Sequence, residues 1–231
     1  MTSIAANLQA VRERIGAACL AAGRREESVS LLAVSKTWPA ASVSAAAAAG
    51  QRAFGENYVQ EAIDKIAELA ASGLEWHFIG PLQSNKTRPV AEHFAWVHSV
   101  DRLKIAERLG AQRPPRLPPL KLCLQVNVSG EASKSGCAVG EAPELARAIA
   151  RLPGVVLKGL MAIPEPTDDV ALQRSRFALL RETLDTINAE GGGGLDTLSM
   201  GMSDDLEAAI MEGATIVRVG TAIFGQRQYQ T

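Results

Sequence analysis

Val29-Ser-Leu-Leu-Ala-Val-Ser-Lys36 is an apolar run that ends in a lysine. A stretch of this length rich in Val and Leu predicts a fully buried strand. Its lysine falls at the carboxyl edge of that strand, where parallel α/β folds assemble their sites. An amine held partly out of water loses some preference for its charged form and can become a nucleophile toward aldehydes. The plainer alternative is a lysine that ends a strand and points into solvent. The rest of the chain decides between them.

Working outward from this run, helical and strand patterns alternate. Leu8, Val11, Ile15, Ala18 and Cys19 recur at helical spacing, predicting an amphipathic helix over 3–22 that stops at Gly23. After Lys36 comes an alanine-rich helix with Pro39 near its start and Gly50 at its end. Strands are predicted at 52–54, 75–79 and 95–98. Helices trail them: one opening at Gly55 and carrying Ile63, Ile66 and Leu69, one over 84–92, and one capped by Ser99 or Asp101 that runs through Leu109. Gln112-Arg-Pro-Pro-Arg-Leu-Pro-Pro119 reads as a polyproline ligand, a linker or a surface loop; the alternation resumes beyond it, which favours the loop. Strands at 120–128, 155–163, 195–200 and 215–219 then alternate with helices at 141–152, 168–189 and 204–211, and Gly191 to Gly194 form a turn. Eight short strands alternating with helices predict an α/β chain, a single (β/α)8 TIM barrel domain over 1–231 with an extra N-terminal helix. A doubly wound open sheet is the competing topology.

Composition narrows the function. The 231 residues are 47% hydrophobic and 21% charged, as in a soluble globular chain long enough for one large core. With 24 basic against 25 acidic residues there is no electrostatic footprint for nucleic acid or an anionic membrane. Cys19, Cys123 and Cys137 form neither a zinc pattern nor a disulfide framework, so no metal site and a reducing compartment are expected. Arg12 and Glu13 interrupt the region where a signal peptide would be apolar, and no stretch reaches the length of a membrane span. A cytoplasmic protein is expected.

Two segments carry the remaining signal. Ser199-Met-Gly-Met-Ser203 follows the seventh predicted strand, and Gly220-Thr221-Ala-Ile-Phe-Gly225 follows the eighth. Loops at these places in such barrels commonly hold a phosphate. Glycines let the backbone approach an anion, helix-start amides donate to it, and hydroxyls add donors. Otherwise Ser203 simply caps the next helix and Gly220 relieves a turn. Arg218 lies between Val217 and Val219, so alternation sends it to the opposite face. In a closed barrel the eighth strand adjoins the first, which sets Arg218 close to Lys36. A buried guanidinium needs an acceptor, of which an inward carboxylate is the plainest. An aldehyde-reactive lysine, a phosphate cradle and an arginine facing a pyridine nitrogen fit pyridoxal phosphate. A phosphosugar aldolase with a Schiff-base lysine is the rival inference, and it gives Arg218 no comparable role.

The motifs AVSKT around Lys36, FGENYVQE from Phe54, WHFIGPLQSNK from Trp76 and HSVDR from His98 continue through QVNVSGEASKSG from Gln125 and GLMAI from Gly159. LSMGMSDDLEAAI from Leu198 and VRVGTAIFGQR from Val217 complete the set. In this order, over nearly the whole chain, the sequence closely resembles the pyridoxal phosphate homeostasis family, which shares a fold with the amino-terminal barrel of bacterial alanine racemases. The resemblance implies that Lys36 carries pyridoxal 5'-phosphate as a covalent aldimine. It implies phosphate contacts at Ser199, Ser203, Gly220 and Thr221, with Arg218 beside the pyridine nitrogen. Asn57 and His77 would line the pocket and Met161 would pack against the ring.

An arginine at the pyridine nitrogen disfavours its protonation, because two positive charges would meet, and the ring is then a weaker electron sink. Racemisation also needs an acid/base on each face of the substrate. Lys36 serves one, and racemases of this fold take the other from a tyrosine in an added β-domain, which this chain is expected to lack. Tyr58 and Tyr229 are the only tyrosines, expected in packing and in the tail respectively. The expected function is therefore a monomeric carrier or buffer for intracellular pyridoxal phosphate homeostasis, without strong catalysis, passing cofactor to pyridoxal phosphate-dependent apoenzymes. Lys86 and Lys134 are candidate loop lysines for that transfer. A weak amino-acid racemase is the alternative, and a cofactor-sensing scaffold for partner enzymes a third reading.

Overall fold

The computed structural model describes residues 3–130, 135–191 and 194–226, so Lys134 and Tyr229 lie outside the described residues. Its strands are β1 (Ser30–Val34), β2 (Ala53–Glu56), β3 (Glu75–Phe78), β4 (Trp96–Val100), β5 (Leu120–Asn127), β6 (Cys137–Ala138), β7 (Val155–Met161), β8 (Thr197–Ser199) and β9 (Ile216–Val219). They run in the order β4-β3-β2-β1-β9-β8-β7-β5, and a β4–β5 pairing closes the ring. Eight parallel strands thus form a barrel rather than an open sheet. The two-residue β6, absent from the sequence reading, pairs with β5 outside that ring. The seventh and eighth barrel strands are accordingly β8 and β9.

Period-two alternation divides each strand between two environments. Phe54, Trp76, Phe78, Val97, Val217 and Val219 join the large cluster formed with the buried helix faces. Leu32, Val34, Ile79 and Ile216 form a second cluster inside the barrel, and Trp96, Cys123 and Met161 a third. The β1–β9 pair sets Leu32 opposite Arg218 and Ala33 opposite Val219. Arg218 is thereby turned inward at the seam where the first and last strands meet.

The helices are α1 (Ile4–Ala21), α2 (Ala40–Ala48), α3 (Val59–Glu68), α4 (Thr87–His93), α5 (Leu103–Gln112), α6 (Ala142–Ile149), α7 (Val170–Ala189), α8 (Leu206–Met211) and α9 (Thr221–Phe224). The extra helix α1 is capped by the Ser3 side chain and buries Leu8, Val11 and Ile15. It also reaches the two segments that follow β8 and β9. Asn7 Nδ2 donates to Ile223 O and Arg14 Nη2 donates to Ser203 O, each at 2.9 Å. The proline-rich stretch folds back as a loop, since Arg113 donates to Ala91 O, Phe94 O and Pro118 O.

Several boundaries differ from the sequence reading, each for a local reason. β2 continues to Glu56 and α3 begins only at Val59, because the Glu56 carboxylate is buried against Ser35 and Lys65 instead of opening a helix. β1 ends at Val34, which leaves Lys36 in the turn that follows. Asp205, not Ser203, holds the position before α8. Thr221 starts a helical turn where a loop was predicted. Tyr58 is 53% exposed and lies outside the buried core. Among the described residues no helix is long and apolar enough to cross a membrane.

Candidate functional site

The carboxyl ends of β1, β2 and β9 and the loop after β8 surround a cavity of about 200 Å³. Lys36, Asn57, Ser203, Arg218, Gly220 and Thr221 all line it. Val34, Trp38, Ile79, Ile163, Met202, Asp204 and Gly225 complete the wall. The sequence had singled out the first six by residue; Met202 and Gly225 fall in the two loop segments it marked, and Val34, Trp38, Ile79, Ile163 and Asp204 had been given no role. Ser199, His77 and Met161 are buried but do not line the cavity. Met161 packs instead with Trp96 and Cys123 in the barrel interior.

Each wall has a local cause. Lys36 lies two residues beyond the inward-facing Val34, in a turn closed by Trp38 N donating to Ser35 O at 3.1 Å. Trp38 stacks on Phe224 of α9, with ring centroids 6.0 Å apart, and gives the cavity an apolar side. On the opposite wall Gly201, at φ 91°, turns the chain after β8. Its carbonyl accepts from Arg218 N at 2.9 Å, and Asp205 Oδ1 accepts from Met202 N at 2.6 Å. These two bonds fix the loop that carries Ser203. A Cβ at Gly220 would lie 3.1 Å from Val34 O, so the glycine lets the end of β9 close against β1. The intrahelical bonds of α9 start at Ile223 N and Phe224 N, leaving the amides of its first residues without an acceptor inside the helix.

Arg218 is buried, and its guanidinium donates through Nη1 to Ser199 Oγ and through Nη2 to Ala162 O, both at 2.9 Å. Among the described residues it has no carboxylate ion pair, so the plainest acceptor is not the one used. Burial lowers its pKa to about 10, opposed by Asp205, and it stays cationic at neutral pH. From Ser199 a chain of hydrogen bonds crosses the barrel. His98 Nδ1 lies 2.7 Å from Ser199 Oγ, His98 Nε2 lies 2.9 Å from His77 Nδ1, and His77 Nε2 lies 2.9 Å from Glu75 Oε1. Glu75 opens β3 and therefore sits at the opposite, amino-terminal mouth.

The carboxylate end, with both rings neutral, fixes the direction of this chain. An arginine only donates and an ionised carboxylate only accepts. Glu75 takes Nε2–H of His77, leaving Nδ1 to accept from His98 Nε2–H. His98 Nδ1 then accepts the Ser199 proton, and the Ser199 oxygen is free to accept from Arg218. The ionisation states agree. Burial lowers both histidines, that of His98 far below the usual range, and both are neutral. The His77 hydrogen bond, with help from Lys121, holds Glu75 down to about 2. Sequence reasoning gave His98 and Glu75 no role; their signal was an inward phase shared with Trp96 and His77.

Asn57 lines the cavity, and its Oδ1 is buried without a hydrogen-bond partner, an acceptor left for a donor that the protein itself does not supply. Among the described residues no cluster of His, Cys, Asp or Glu is arranged to hold a metal ion.

A family model described as alanine racemase, N-terminal domain, matches residues 2–228. A pyridoxal phosphate homeostasis protein of Pseudomonas aeruginosa is 66% identical over 229 residues, covering 99% of this chain and 98% of that protein. The chain belongs to the pyridoxal phosphate homeostasis family. The Escherichia coli protein of the same name is 55% identical over 235 residues, covering 99% of each chain. Among solved structures, PipY of Synechococcus elongatus PCC7942 with pyridoxal phosphate bound superposes with a TM-score of 0.82 at 40% identity. That match covers 96% of this chain and 100% of PipY. For a member of the homeostasis family, the cavity's amine, buried cation, helix-start amides and orphan Asn57 oxygen are a donor and acceptor set that suits a phosphorylated pyridine aldehyde.

Proposed function

We propose that this chain binds pyridoxal phosphate in the cavity beside Lys36, as one binding domain, and acts as an intracellular carrier or buffer of that cofactor. The observation that carries the reading is the convergence of Lys36, Arg218 and the Ser203 and Gly220–Thr221 loops on one small cavity. The names of the relatives and the bound form of PipY support it.

The cofactor supplies an aldehyde, an anionic phosphate and an electron-withdrawing ring. Lys36 is the amine that condenses with the aldehyde, forming a carbon–nitrogen double bond as water leaves. Ser203, Gly220, Thr221 and the first amides of α9 hold the phosphate, and Arg218 faces the ring nitrogen as a fixed cation. Asn57 accepts from a ring substituent, while Trp38 and Ile79 exclude water. Ser199 and His77 act through Arg218 and not by touching the ligand, and Met161 supports the interior from below.

A carrier fits better than a racemase. Among the described residues the cavity wall holds no tyrosine or histidine, and beside Lys36 its one proton-transferring side chain is the Asp204 carboxylate. A cation at the ring nitrogen also opposes the protonation that carbanion chemistry exploits. On this reading the protein is a monomer that limits free aldehyde and passes cofactor to apoenzymes. The test is α-hydrogen exchange of both alanine enantiomers in heavy water with loaded protein, followed by NMR. Retention of the α-hydrogen is expected; exchange at about one turnover per second or faster makes the protein an enzyme.

A further inference from the structure

Ser35-Lys36-Thr37-Trp38 is a β-turn whose third residue, Thr37, has φ 68°, the one positive φ of a non-glycine residue among those described. A turn with positive φ at its third residue alone normally places glycine or asparagine there. A β-branched threonine is a strained occupant. Inside the turn Thr37 Oγ1 donates to Lys36 O, and the rest of its support comes from outside. The Thr37 amide donates to Glu61 Oε1 on α3 at 2.6 Å. That oxygen also accepts from Lys65 Nζ, one helical turn further on, at 2.6 Å. The same ammonium donates to Ser35 O and to Glu56 Oε1, each at 2.8 Å. Ser35 Oγ donates to Glu56 Oε1 at 2.6 Å. Lys65 is only 5% exposed, which is rare for lysine, and all three of its donors are committed.

We propose that Lys65 is a positioning residue for Lys36. With Glu56 and Glu61 it clamps Ser35 and Thr37, the two neighbours of Lys36, from the outer side of the barrel. The clamp holds Thr37 at positive φ, and that conformation presents Lys36 and Trp38 together to the cavity they both line. Should Thr37 relax to negative φ, the peptides on both sides of it rotate and the two lining side chains separate. The inference rests on the reading that Lys36 takes the cofactor's aldehyde.

Glycine adopts positive φ unaided, so it separates this role from a purely structural one. The proteins to compare are wild type, Lys65→Met and Glu61→Leu, each with and without Thr37→Gly. Glu61→Leu leaves Lys65 paired with Glu56 and Ser35, and so remains a test if Lys65→Met does not fold. Two rates are measured beside the melting temperature: borohydride-fixed attachment of added pyridoxal phosphate to Lys36, and acetylation of Lys36 by acetic anhydride without cofactor, both by peptide mass. Both single variants should slow attachment about tenfold and shift acetylation, in line with the usual strain at such positions. Thr37→Gly should restore both rates in the same chains while leaving the lowered melting temperature unrepaired. Wild-type rates in folded Glu61→Leu, or no recovery on adding Thr37→Gly, overturn the proposal. If wild-type Lys36 takes no cofactor, the functional reading fails by itself, and the acetylation pattern alone decides whether the clamp exists.

Discussion

Arg218 donates to the Ser199 hydroxyl at 2.9 Å, and that bond joins the buried cation of the cavity to the His98–His77 pair and so to Glu75 at the far mouth of the barrel. The cavity's charge is thus held in place by groups that do not line the cavity. Their protonation states must stay as they are for the chain to keep its direction.

The pH dependence of stability follows from that requirement. Burial lowers the folded pKa of His77 and His98 below the usual 6.5. The unfolded chain therefore binds more protons as pH drops below 6.5. The stabilisation is complete above that value and is lost on acidification at no more than about 1.4 kcal/mol per pH unit for each histidine. Glu75 adds the same sign lower down, between its ordinary 4.5 and about 2. Glu56 and Asp205, raised by burial, act in the opposite sense in the carboxylate range. Urea unfolding at pH 7, 6 and 5 should show a steady loss, with a shallower slope in His98→Asn. Equal stability at pH 7 and 5 contradicts the neutral pair.

The tautomers are open to direct inspection. Both His77 and His98 should carry their proton on Nε2, with Nδ1 an acceptor. Long-range ¹H–¹⁵N spectra of histidine-labelled protein distinguish the two ring nitrogens. A proton on Nδ1 of His98 reverses its bond to Ser199, leaves the Ser199 proton without that acceptor and contradicts the direction of the chain.

Gly201 should not tolerate a side chain. It has φ 91°, and an added Cβ would sit 2.6 Å from Ala209 Cβ. Gly201→Ala should cost about 3 kcal/mol or more in chemical unfolding. It should also weaken cofactor binding, because the Gly201 carbonyl anchors Arg218 N. Gly73→Ala is the control: φ is 61° but nothing lies within 4 Å of the added atom. Its cost should stay near 1 kcal/mol. Equal losses in the two variants would show that the contact with α8 does not matter.

The helix α1 should contribute to anion binding at a distance. Asn7 and Arg14 each donate to a backbone carbonyl of a different cavity loop, at Ile223 and Ser203. Asn7→Ala and Arg14→Ala should each weaken pyridoxal phosphate affinity about fivefold, the worth of one such hydrogen bond. The residue labelled at saturation should not change. Unaltered dissociation constants mean that α1 merely covers the barrel.

Much of this architecture was legible because period-two alternation is a local signal. Val217 and Val219 reveal where Arg218 points without any tertiary information. Partnerships across distance left no such trace. Glu56 reads as a helix opener because its partner Lys65 lies nine positions away on another element. His77 and His98 meet only because the register of β3 and β4 places them in adjacent layers. Ser199 and Ser203 look equivalent in one hydroxyl-rich segment, yet the Gly201 turn leaves the first inside the barrel and carries the second to the cavity. The positive φ of Thr37 has no sequence mark at all, since threonine is a residue that ordinarily avoids it.

The measurement closest to the core of this account is chemical trapping of the bound cofactor. Protein loaded with pyridoxal phosphate is reduced with borohydride, digested and mapped by mass, beside Lys36→Ala treated in the same way. The account predicts one phosphopyridoxyl adduct, on the peptide that contains Lys36, and neither adduct nor visible absorbance in the variant. A stoichiometric adduct on another lysine, undiminished in Lys36→Ala, contradicts it.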